Sequence, residues 1–332
     1  WLAHSERYVA DMVARFNLTA DNYVVEVAAN DGYLLQYVKA RNIPCIGVEP
    51  TAGTAAVARA KGIPIVSDFF SVRLAKELVT QGKQADLTAA NNVLAHVPDI
   101  NDFVAGFAVL LKPLGVATFE FPHLLKLIAE NQFDTIYHEH FSYLSLTAVN
   151  LIFAANGLSV FDVEEHLTHG GSLRVFAQRS DTGQQARTAR VDELLHREAQ
   201  AGILSADYYT DFQAKTDQVK NDYFAFLLKA KRQGKTVAAY GAAAKGNTLM
   251  NYTGIRPDLI SFVVDLNPAK QGKAMPGSRI PIVDESRLQQ EKPDYIVILP
   301  WNLKVEVILQ LEYVRDWGGR FVTAVPSLRI VP

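Results

Sequence analysis

The sequence predicts an α/β fold made of two successive doubly wound, Rossmann-like sheets. Three observations support this prediction. Short apolar runs alternate with amphipathic stretches over residues 1–180. A charged stretch with a single glycine follows over 186–232, and the alternation then resumes. Strands that alternate with helices form βαβ units, and such units build parallel sheets.

The first half is expected to contain five parallel strands, each a short apolar run. The strands are expected at 23–28, 45–49, 63–66, 85–90 and 115–121, and the first two intervening helices at 31–41 and 52–61. Parallel crossovers are right-handed, which restricts the topology to a doubly wound sheet.

Two later apolar runs, 158–166 and 172–178, flank the turn LTHGG. The Gly-Gly pair predicts a β-hairpin, which we place at the edge of the sheet. Five parallel strands followed by a late antiparallel hairpin are typical of class I methyltransferases. The sheet of a dinucleotide-binding protein usually stays parallel.

Three segments are therefore expected. They are a methyltransferase domain over 1–182, a helical connector over 183–234 and a smaller Rossmann-like domain over 235–332. In the last, strands are expected at 236–240, 259–265, 295–299 and 321–324, and helices at 243–252 and 305–316. The two halves share no repeated motif, so no internal duplication is inferred.

Composition excludes several classes of partner. The formal net charge of -2 gives no global attraction to nucleic acid or to an anionic membrane. No apolar run reaches the roughly 18 residues that a membrane span needs. The single cysteine, Cys45, fits a reducing compartment, so we expect a cytoplasmic protein. We expect a small-molecule substrate and a monomer or weak homodimer.

The segment EVAANDGYLL follows the first strand and opens a helix. Ligands of doubly wound sheets bind at the carboxyl ends of the strands, near this loop. The pyrophosphate fingerprint G-x-G-x-x-G is absent, and the loop is acidic and small, which suits a cationic aminoacyl-sulfonium ligand better than a pyrophosphate. The candidate cofactor residues here are Glu26, Ala28, Asn30, Asp31 and Gly32. Asp31 could instead cap the helix.

Three more strand ends contribute candidates. Glu49 ends the second strand, where a carboxylate can accept hydrogen bonds from both ribose hydroxyls. Asp68 and Phe69 follow the third strand and suit the amino group and ring of adenine, although Phe69 and Phe70, taken alone, are more typical of core residues. Asn91 ends the fourth strand and His96 follows it; a lone histidine there is more often structural.

Eight motifs in one order resemble the sugar C-methyltransferases that build branched deoxysugars, such as the C-3'-methyltransferase of tetronitrose biosynthesis. The motifs are EVAANDGYLL, GVEP, DFF, NNVLAHVP, FEFPHL, FDTIYHEHFSY, HGGSLR and YGAAAKGNTLMNY. The family loop usually reads E-x-G-x-N-D-G, so Ala28 replaces a glycine. Family members usually carry a cysteine-rich, N-terminal zinc-binding module, and we expect this chain to lack it.

The resemblance implies S-adenosylmethionine as the methyl donor, S-adenosylhomocysteine as a product, and a nucleotide-linked keto-deoxysugar, with dTDP as the expected nucleotide. It also implies that His140 is the general base of carbon methylation. Tyr137 and His96 would then stabilise the enolate oxygen, and Glu139 would hold a substrate hydroxyl or orient the imidazole. A histidine, with an ordinary pKa of about 6.5, suits this task at neutral pH.

Two alternatives for this segment stay open. On a regular strand His138 and His140 would share a face and could bind a metal, although we expect none. Buried, purely structural histidines are the other alternative. The resemblance requires an irregular backbone, because it places Tyr137, Glu139 and His140 at one site.

In the second domain, Tyr240-Gly-Ala-Ala-Ala-Lys-Gly-Asn follows a strand and begins a helix, a favourable place for an anion. The substrate-binding candidates are Tyr240, Lys245 and Asn247, with Lys245 facing a diphosphate. No acidic residue stands out as a partner of this loop. The competing functions are an NAD(P)-dependent sugar-nucleotide oxidoreductase or epimerase, which the missing glycine fingerprint disfavours, and a non-catalytic S-adenosylmethionine-binding protein.

Overall fold

The computed structural model describes residues 2–331. They form two compact units that interleave along the chain. Unit 1 comprises the described residues up to Leu124, then Phe141–Leu167 and Gly171–Ala201. Unit 2 comprises Leu125–His140, Thr168–Gly170 and the described residues from Gly202 onward. The expected division at 182 and 234 followed chain order alone and stays a prediction.

The elements are numbered in chain order. The strands are β1 Val24–Val27, β2 Cys45–Val48, β3 Ile65–Val66, β4 Ala85–Asn91, β5 Leu111–Pro122, β6 Leu158–His166, β7 Ser172–Arg179, β8 Val237–Tyr240, β9 Val263–Val264, β10 Ile282–Val283, β11 Tyr295–Ile298, β12 Arg320–Thr323 and β13 Arg329–Val331. The helices are α1 Leu2–Phe16, α2 Leu35–Lys39, α3 Ala52–Ala60, α4 Val72–Thr80, α5 Ile100–Leu110, α6 Leu124–Ala129, α7 Leu146–Ala155, α8 Ala189–Ala201, α9 Phe212–Arg232, α10 Ala244–Thr253, α11 Ser286–Glu291 and α12 Lys304–Gln310.

The described strands of unit 1 form one sheet in the order β3-β2-β1-β4-β5-β7-β6. Strands β1 to β5 pair in parallel, whereas β7 pairs antiparallel with both β5 and β6. The predicted class I methyltransferase sheet with an edge hairpin is confirmed. The strand order reverses between β1 and β4, so the ligand crevice is expected beyond the carboxyl ends of these strands.

Side-chain caps begin three helices of unit 1. Ser71, Asp99 and Ser145 each accept a backbone N–H of the first turn of α4, α5 and α7. Each such cap satisfies one of the amide groups that a helix leaves unpaired at its start, which stabilises it by about 1 kcal/mol.

Helix α8 belongs to unit 1 because a buried carboxylate ties it there. Glu198 accepts the backbone N–H groups of Leu146 at 2.7 Å and Thr147 at 2.8 Å, at the start of α7. It also lies 2.7 Å from Nε2 of His123. Burial raises the pKa of Glu198, but its hydrogen bonds with His123 and Thr147 outweigh burial and hold the pKa below its ordinary value.

Unit 2 contains a second sheet, in the order β10-β9-β8-β11-β12-β13 over the described residues. Its strands are parallel except for β13, which pairs antiparallel with β12. The strand predicted at 259–265 was too long. Leu259 and Ile260 instead donate their N–H groups to the carbonyl of Arg256 in a turn. Of the predicted strand, the two residues of β9 pair in the sheet.

Two further corrections concern the edges of unit 2. The helix predicted at 305–316 ends at Gln310, and a 3₁₀ helix follows over Glu312–Trp317. Neither β10 nor β13 was predicted, because runs of two and three residues carry too little periodicity to be recognised.

The segment Leu125–His140 lies between β5 and α7 in sequence but packs in unit 2. The ring of Phe133 lies 5.4 Å from that of Tyr252 on α10. Asn131 donates to the carbonyl of Lys215 at 3.1 Å and accepts from Oγ1 of Thr216 at 3.0 Å. Contacts with α9 and α10 therefore fix this segment. Over residues 2–331, no helix has both the length and the apolarity required to cross a membrane.

Candidate functional site

Left-handed backbone angles shape the loop after β1. Ala28, Asn30 and Gly32 have φ of 61°, 52° and 75°. A Cβ on Gly32 would lie 2.4 Å from Cδ1 of Ile63, and the left-handed φ would strain any residue other than glycine at this position. Ala28 has a Cβ and a positive φ, which costs about 1 kcal/mol. The small-residue loop is present, and it carries backbone strain at Ala28.

The carboxylate of Glu49 joins this loop to the end of β2. One oxygen accepts the N–H of Asn30 at 3.0 Å, and the other accepts the N–H of Thr51 at 2.8 Å. Glu49 is buried. An ionised carboxylate has about four acceptor positions, so two stay available to a ligand hydroxyl.

Glu26 is fully buried, and neither of its carboxyl oxygens makes a hydrogen bond within residues 2–331. Burial raises its pKa well above the ordinary value, and the nearby carboxylates of Asp31 and Glu49 raise it further. The backbone of Leu35 opposes this shift, but by less than burial and Asp31 raise the pKa. A buried carboxyl without a partner is costly, and a cationic ligand group would supply the missing interaction.

Asp31 forms an ion pair with Lys61, with Oδ2 and Nζ 2.9 Å apart. It does not cap the following helix, because the start of α2 has no side-chain cap. The capping alternative is therefore wrong. Asp31 adds negative charge to the loop that the ammonium of Lys61 partly balances.

At the end of β3 the two phenylalanines differ. Phe70 packs in the core against Phe103 and Phe107. Phe69 is 75% exposed, so the core alternative is wrong for this ring, which is available to stack on a base. Its neighbour Asp68 pairs with Arg73, which holds the pKa of that carboxyl below its usual value.

Asn91 and His96 follow the end of β4. Asn91 is buried, and its Oδ1 makes no hydrogen bond to any described residue. His96 is half-buried at the end of a 3₁₀ helix, Leu94–His96. The carbonyl of Ala95 in this helix accepts the N–H groups of Phe141 at 2.8 Å and of Ser142 at 3.2 Å.

Residues 137–140 form a turn closed by the N–H of His140 and the carbonyl of Tyr137 at 3.0 Å. The strand geometry that would place His138 and His140 on one face does not form. His138 and Glu139 are exposed. The rings of Tyr137 and His140 lie 4.2 Å apart, so the turn brings these two candidates together.

The imidazole of His140 has a defined tautomer. Its Nδ1 lies 2.8 Å from the carbonyl oxygen of Thr135. A carbonyl only accepts, so Nδ1 carries the proton and Nε2 carries the lone pair of the neutral ring. This orientation suits a base that acts through Nε2.

In unit 2 the loop after β8 bends at Gly241, with φ of 91°, before α10 begins. Tyr240 is buried, and its hydroxyl accepts from Nε2 of Gln310 at 2.9 Å. The buried Oδ1 of Asn247 makes no hydrogen bond within residues 2–331. The side chain of Lys245 contacts residues of unit 2. Its Nζ lies 4.7 Å from the ring centroid of Trp301 and 3.3 Å from Oδ1 of Asn302.

This loop does have an acidic partner, which was not predicted from the sequence. Asp265 directly follows β9 and accepts the N–H groups of Ala242 at 2.8 Å and Asn267 at 2.9 Å. Lys270 lies 3.1 Å from the same carboxylate. Glu49 makes the equivalent contacts in unit 1. The spacing of a loop and a later carboxylate was the signal that could have found Asp265.

The candidates thus fall into two groups, each described within its own unit. The loop after β1, Glu49, Asp68, Phe69, Asn91 and His96 belong to unit 1. The second group is Tyr137, Glu139, His140, Tyr240, Lys245 and Asn247, which belong to unit 2.

Comparisons with known proteins cover nearly the whole chain. Residues 1–163 match the family described as a methyltransferase domain, and residues 167–326 match the C-methyltransferase C-terminal domain. The C-methyltransferase NovU of Streptomyces niveus is 36% identical over 330 residues, which cover 99% of this chain and 78% of that protein.

Solved structures resemble about half of the chain. The magnesium protoporphyrin IX methyltransferase of Synechocystis is 17% identical with a TM-score of 0.42, over 54% of this chain and 79% of that one. A methyltransferase of Anabaena variabilis is 13% identical with a TM-score of 0.44, over 54% of this chain and 86% of that one.

Proposed function

The chain belongs to the C-methyltransferase family, and on that premise we propose that it methylates a carbon atom of a nucleotide-linked keto-deoxysugar, with S-adenosylmethionine as the methyl donor. The observation that carries this proposal is the turn at 137–140. It holds an imidazole in one tautomer against a phenol ring. Methylation of a carbon beside a ketone needs a base of this kind, because a C–H proton must leave before the new C–C bond forms.

The donor site lies at the carboxyl ends of β1, β2 and β4. The buried carboxyl of Glu26 and the carboxylate of Asp31 suit the positive charges of an aminoacyl-sulfonium, and Glu49 suits its ribose hydroxyls. The exposed ring of Phe69, beside Asp68, suits the adenine. When bound, S-adenosylmethionine supplies an electrophilic methyl group and leaves as S-adenosylhomocysteine.

Ala28, Asn30 and Gly32 give this site its backbone shape, because their left-handed angles turn the chain between β1 and α2. Asn91 adds an amide whose buried oxygen has no partner within the described chain. Both features fit a ligand that approaches the backbone closely.

His140 removes the proton from the carbon beside the ketone through Nε2. The positive charge that forms on the ring is stabilised by the carbonyl of Thr135, which keeps its hydrogen bond to Nδ1 throughout. The hydroxyl of Tyr137 donates a hydrogen bond to the developing enolate oxygen, and the corresponding role of His96 stays a prediction from the sequence. Glu139 is exposed, which suits contact with a sugar hydroxyl.

The nucleotide end of the substrate, with dTDP as the expected carrier, is assigned to the loop after β8. The buried oxygen of Asn247 and the hydroxyl of Tyr240 offer polar contacts, and Lys245 contributes positive charge at the start of α10. A cytoplasmic location and a monomeric or weakly dimeric state stay predictions from the sequence.

The test measures two events separately. Titration calorimetry should show binding of S-adenosylmethionine to wild type and to His140→Ala with similar affinity. Turnover of a dTDP-linked 4-keto-deoxysugar should fall by at least about 10²-fold in His140→Ala. With S-adenosylhomocysteine in place of the donor, wild type should still exchange the substrate C–H for deuterium in D₂O, and His140→Ala should not.

His196→Ala is the matched control, since His196 is an exposed histidine on α8. It should retain both exchange and turnover. Equal exchange in His140→Ala and His196→Ala would exclude His140 as the base. Absence of donor binding to folded wild type would remove the premise of the donor site.

A further inference from the structure

The 3₁₀ helix Phe133–Thr135 in unit 2 contains a buried acid that the proposed reaction does not use. Asp134 is fully buried. Its Oδ2 accepts the indole N–H of Trp301 at 2.7 Å, across 167 positions of sequence. Its Oδ1 makes no hydrogen bond within the described part of the chain. The two oxygens of this carboxyl group thus differ, and the indole of Trp301 ties the acid to the segment that follows β11.

A cation lies beside the same pair. Nζ of Lys245 is 4.7 Å from the ring centroid of Trp301. Burial lowers the pKa of Lys245, and the charge of Asp134 opposes this shift. Burial raises the pKa of Asp134 to about 6, and Lys245 and Trp301 oppose that shift in turn. The two charges therefore stabilise one another, and both groups contact the indole of Trp301.

The other side of this 3₁₀ helix faces His140. The carbonyl of Thr135 accepts a hydrogen bond from Nδ1 of His140 at 2.8 Å. The hydroxyl of Thr135 donates to the carbonyl of Gln132 at 2.8 Å. Gln132 is buried and donates to the carbonyl of Gly170 at 2.6 Å. Asp134 and Thr135 are adjacent in sequence. A contact that holds the carboxyl group of Asp134 therefore also fixes the direction of the backbone carbonyl of Thr135.

We infer that Asp134 is a positioning residue for His140: Trp301 and Lys245 hold Asp134, the held turn directs the carbonyl of Thr135 at Nδ1, and Nε2 is thereby kept as the basic nitrogen. This inference rests on the proposed function, in which His140 takes a proton. A carbonyl at a fixed position selects one tautomer, and an imidazole in the other tautomer presents an N–H where the base must accept.

The test reads the tautomer directly and needs no substrate. The chain has eight histidines, so ¹⁵N-histidine labelling gives few signals, and His140→Gln identifies the one from residue 140. In wild type the proton should be on Nδ1. In Trp301→Phe, which removes the indole donor, a second population with the proton on Nε2 should appear. Trp317→Phe is the matched control, because it removes another indole hydrogen bond in unit 2, to the carbonyl of Pro293 at 3.0 Å.

A second pair of variants covers the case in which Trp301→Phe does not fold. Asp134→Asn keeps an oxygen that accepts from the indole, and should keep the Nδ1 proton. Asp134→Leu keeps similar bulk but has no acceptor for the indole. In this variant the second population, with the proton on Nε2 of His140, should appear. The turnover rate should fall about tenfold or more in Asp134→Leu and Trp301→Phe, with unchanged affinity for S-adenosylmethionine, since misplacing a base by a fraction of an ångström slows the step without weakening donor binding.

Two results would overturn the inference. One is a wild-type His140 that carries its proton on Nε2. The other is an unchanged Nδ1 tautomer in both Asp134→Leu and Trp301→Phe, at the level of Trp317→Phe. A failure of the proposed function itself is reported separately by deuterium exchange in His140→Ala, which does not depend on Trp301.

Discussion

The carboxylate of Glu49 accepts the backbone N–H of Asn30 at 3.0 Å, and this contact links the carboxyl ends of β1 and β2. Asp265 holds Ala242 at 2.8 Å in the same manner in unit 2. Each carboxylate thus fixes the loop of the preceding strand. The arrangement makes the loop after β1 sensitive to the charge of one side chain.

Glu49→Gln should weaken binding of S-adenosylmethionine about tenfold. The amide loses the charge that strengthens its hydrogen bonds, a difference of about 1.5 kcal/mol. Titration calorimetry measures the change. Glu77→Gln, an exposed carboxylate on α4, is the control and should bind as wild type does. Equal affinities in the two variants would contradict a role of Glu49 in the donor site.

Ala28→Gly should raise the free energy of unfolding by up to about 1 kcal/mol. Glycine adopts a φ of 61° without the Cβ clash, and this gain exceeds the added freedom of the unfolded chain. Urea denaturation of the full chain measures it. The neighbouring Ala29 is buried and has no left-handed angle, so Ala29→Gly should destabilise the protein. A loss of stability in both variants would refute strain at Ala28.

Glu26→Gln should remove a pH dependence of stability. The pKa of Glu26 lies well above its ordinary 4.5 in the folded protein, so the folded state binds more protons than the unfolded one between these two values. The contribution of Glu26 to the free energy of unfolding is therefore fully present below pH 4.5, and it declines as the pH rises toward the folded pKa.

The measurement compares urea denaturation of wild type and Glu26→Gln at about pH 5 and about pH 7.5, without donor. The variant should gain stability relative to wild type at the higher pH. Glu6→Gln, on the exposed face of α1, should follow wild type. Parallel curves for wild type and Glu26→Gln would show that burial does not perturb this carboxyl.

Glu198→Gln should lower the free energy of unfolding by about 2 kcal/mol at neutral pH, since it weakens buried hydrogen bonds to α7 and to His123. The pKa of Glu198 is depressed in the folded protein, so its contribution is present above 4.5 and is lost as the pH falls. The difference between variant and wild type should therefore shrink in acid. Glu193→Gln, exposed on the same helix, should change stability little.

Sequence patterns predicted most of the secondary structure of unit 1. The strands of the parallel sheet and the edge hairpin follow from apolar runs and turn residues, because both signals are local. The irregular backbone at 137–140 was also anticipated, from the resemblance of the YHEHF motif. What local patterns could not reveal are contacts between distant segments, such as Asp134 with Trp301, which are 167 positions apart.

The second unit was harder to predict for two physical reasons. Its sheet includes β9, β10 and β13, which are only two or three residues long. The orientation of Lys245 toward Trp301 depends on packing that no spacing rule describes. The loop after β8 was predicted from its small residues, but its contact with Asp265 was not, although that residue ends the strand predicted at 259–265.

The interleaving of the two units has a consequence for protein engineering. A chimera that exchanges everything after Ala201 with a relative would keep the host's Leu125–His140 and Thr168–Gly170, which pack in unit 2. Such a graft separates Trp301 and Lys245 from Asp134, which accepts the indole N–H of Trp301. Unit 2 is therefore best exchanged as three blocks of sequence together, with crossover points at its borders.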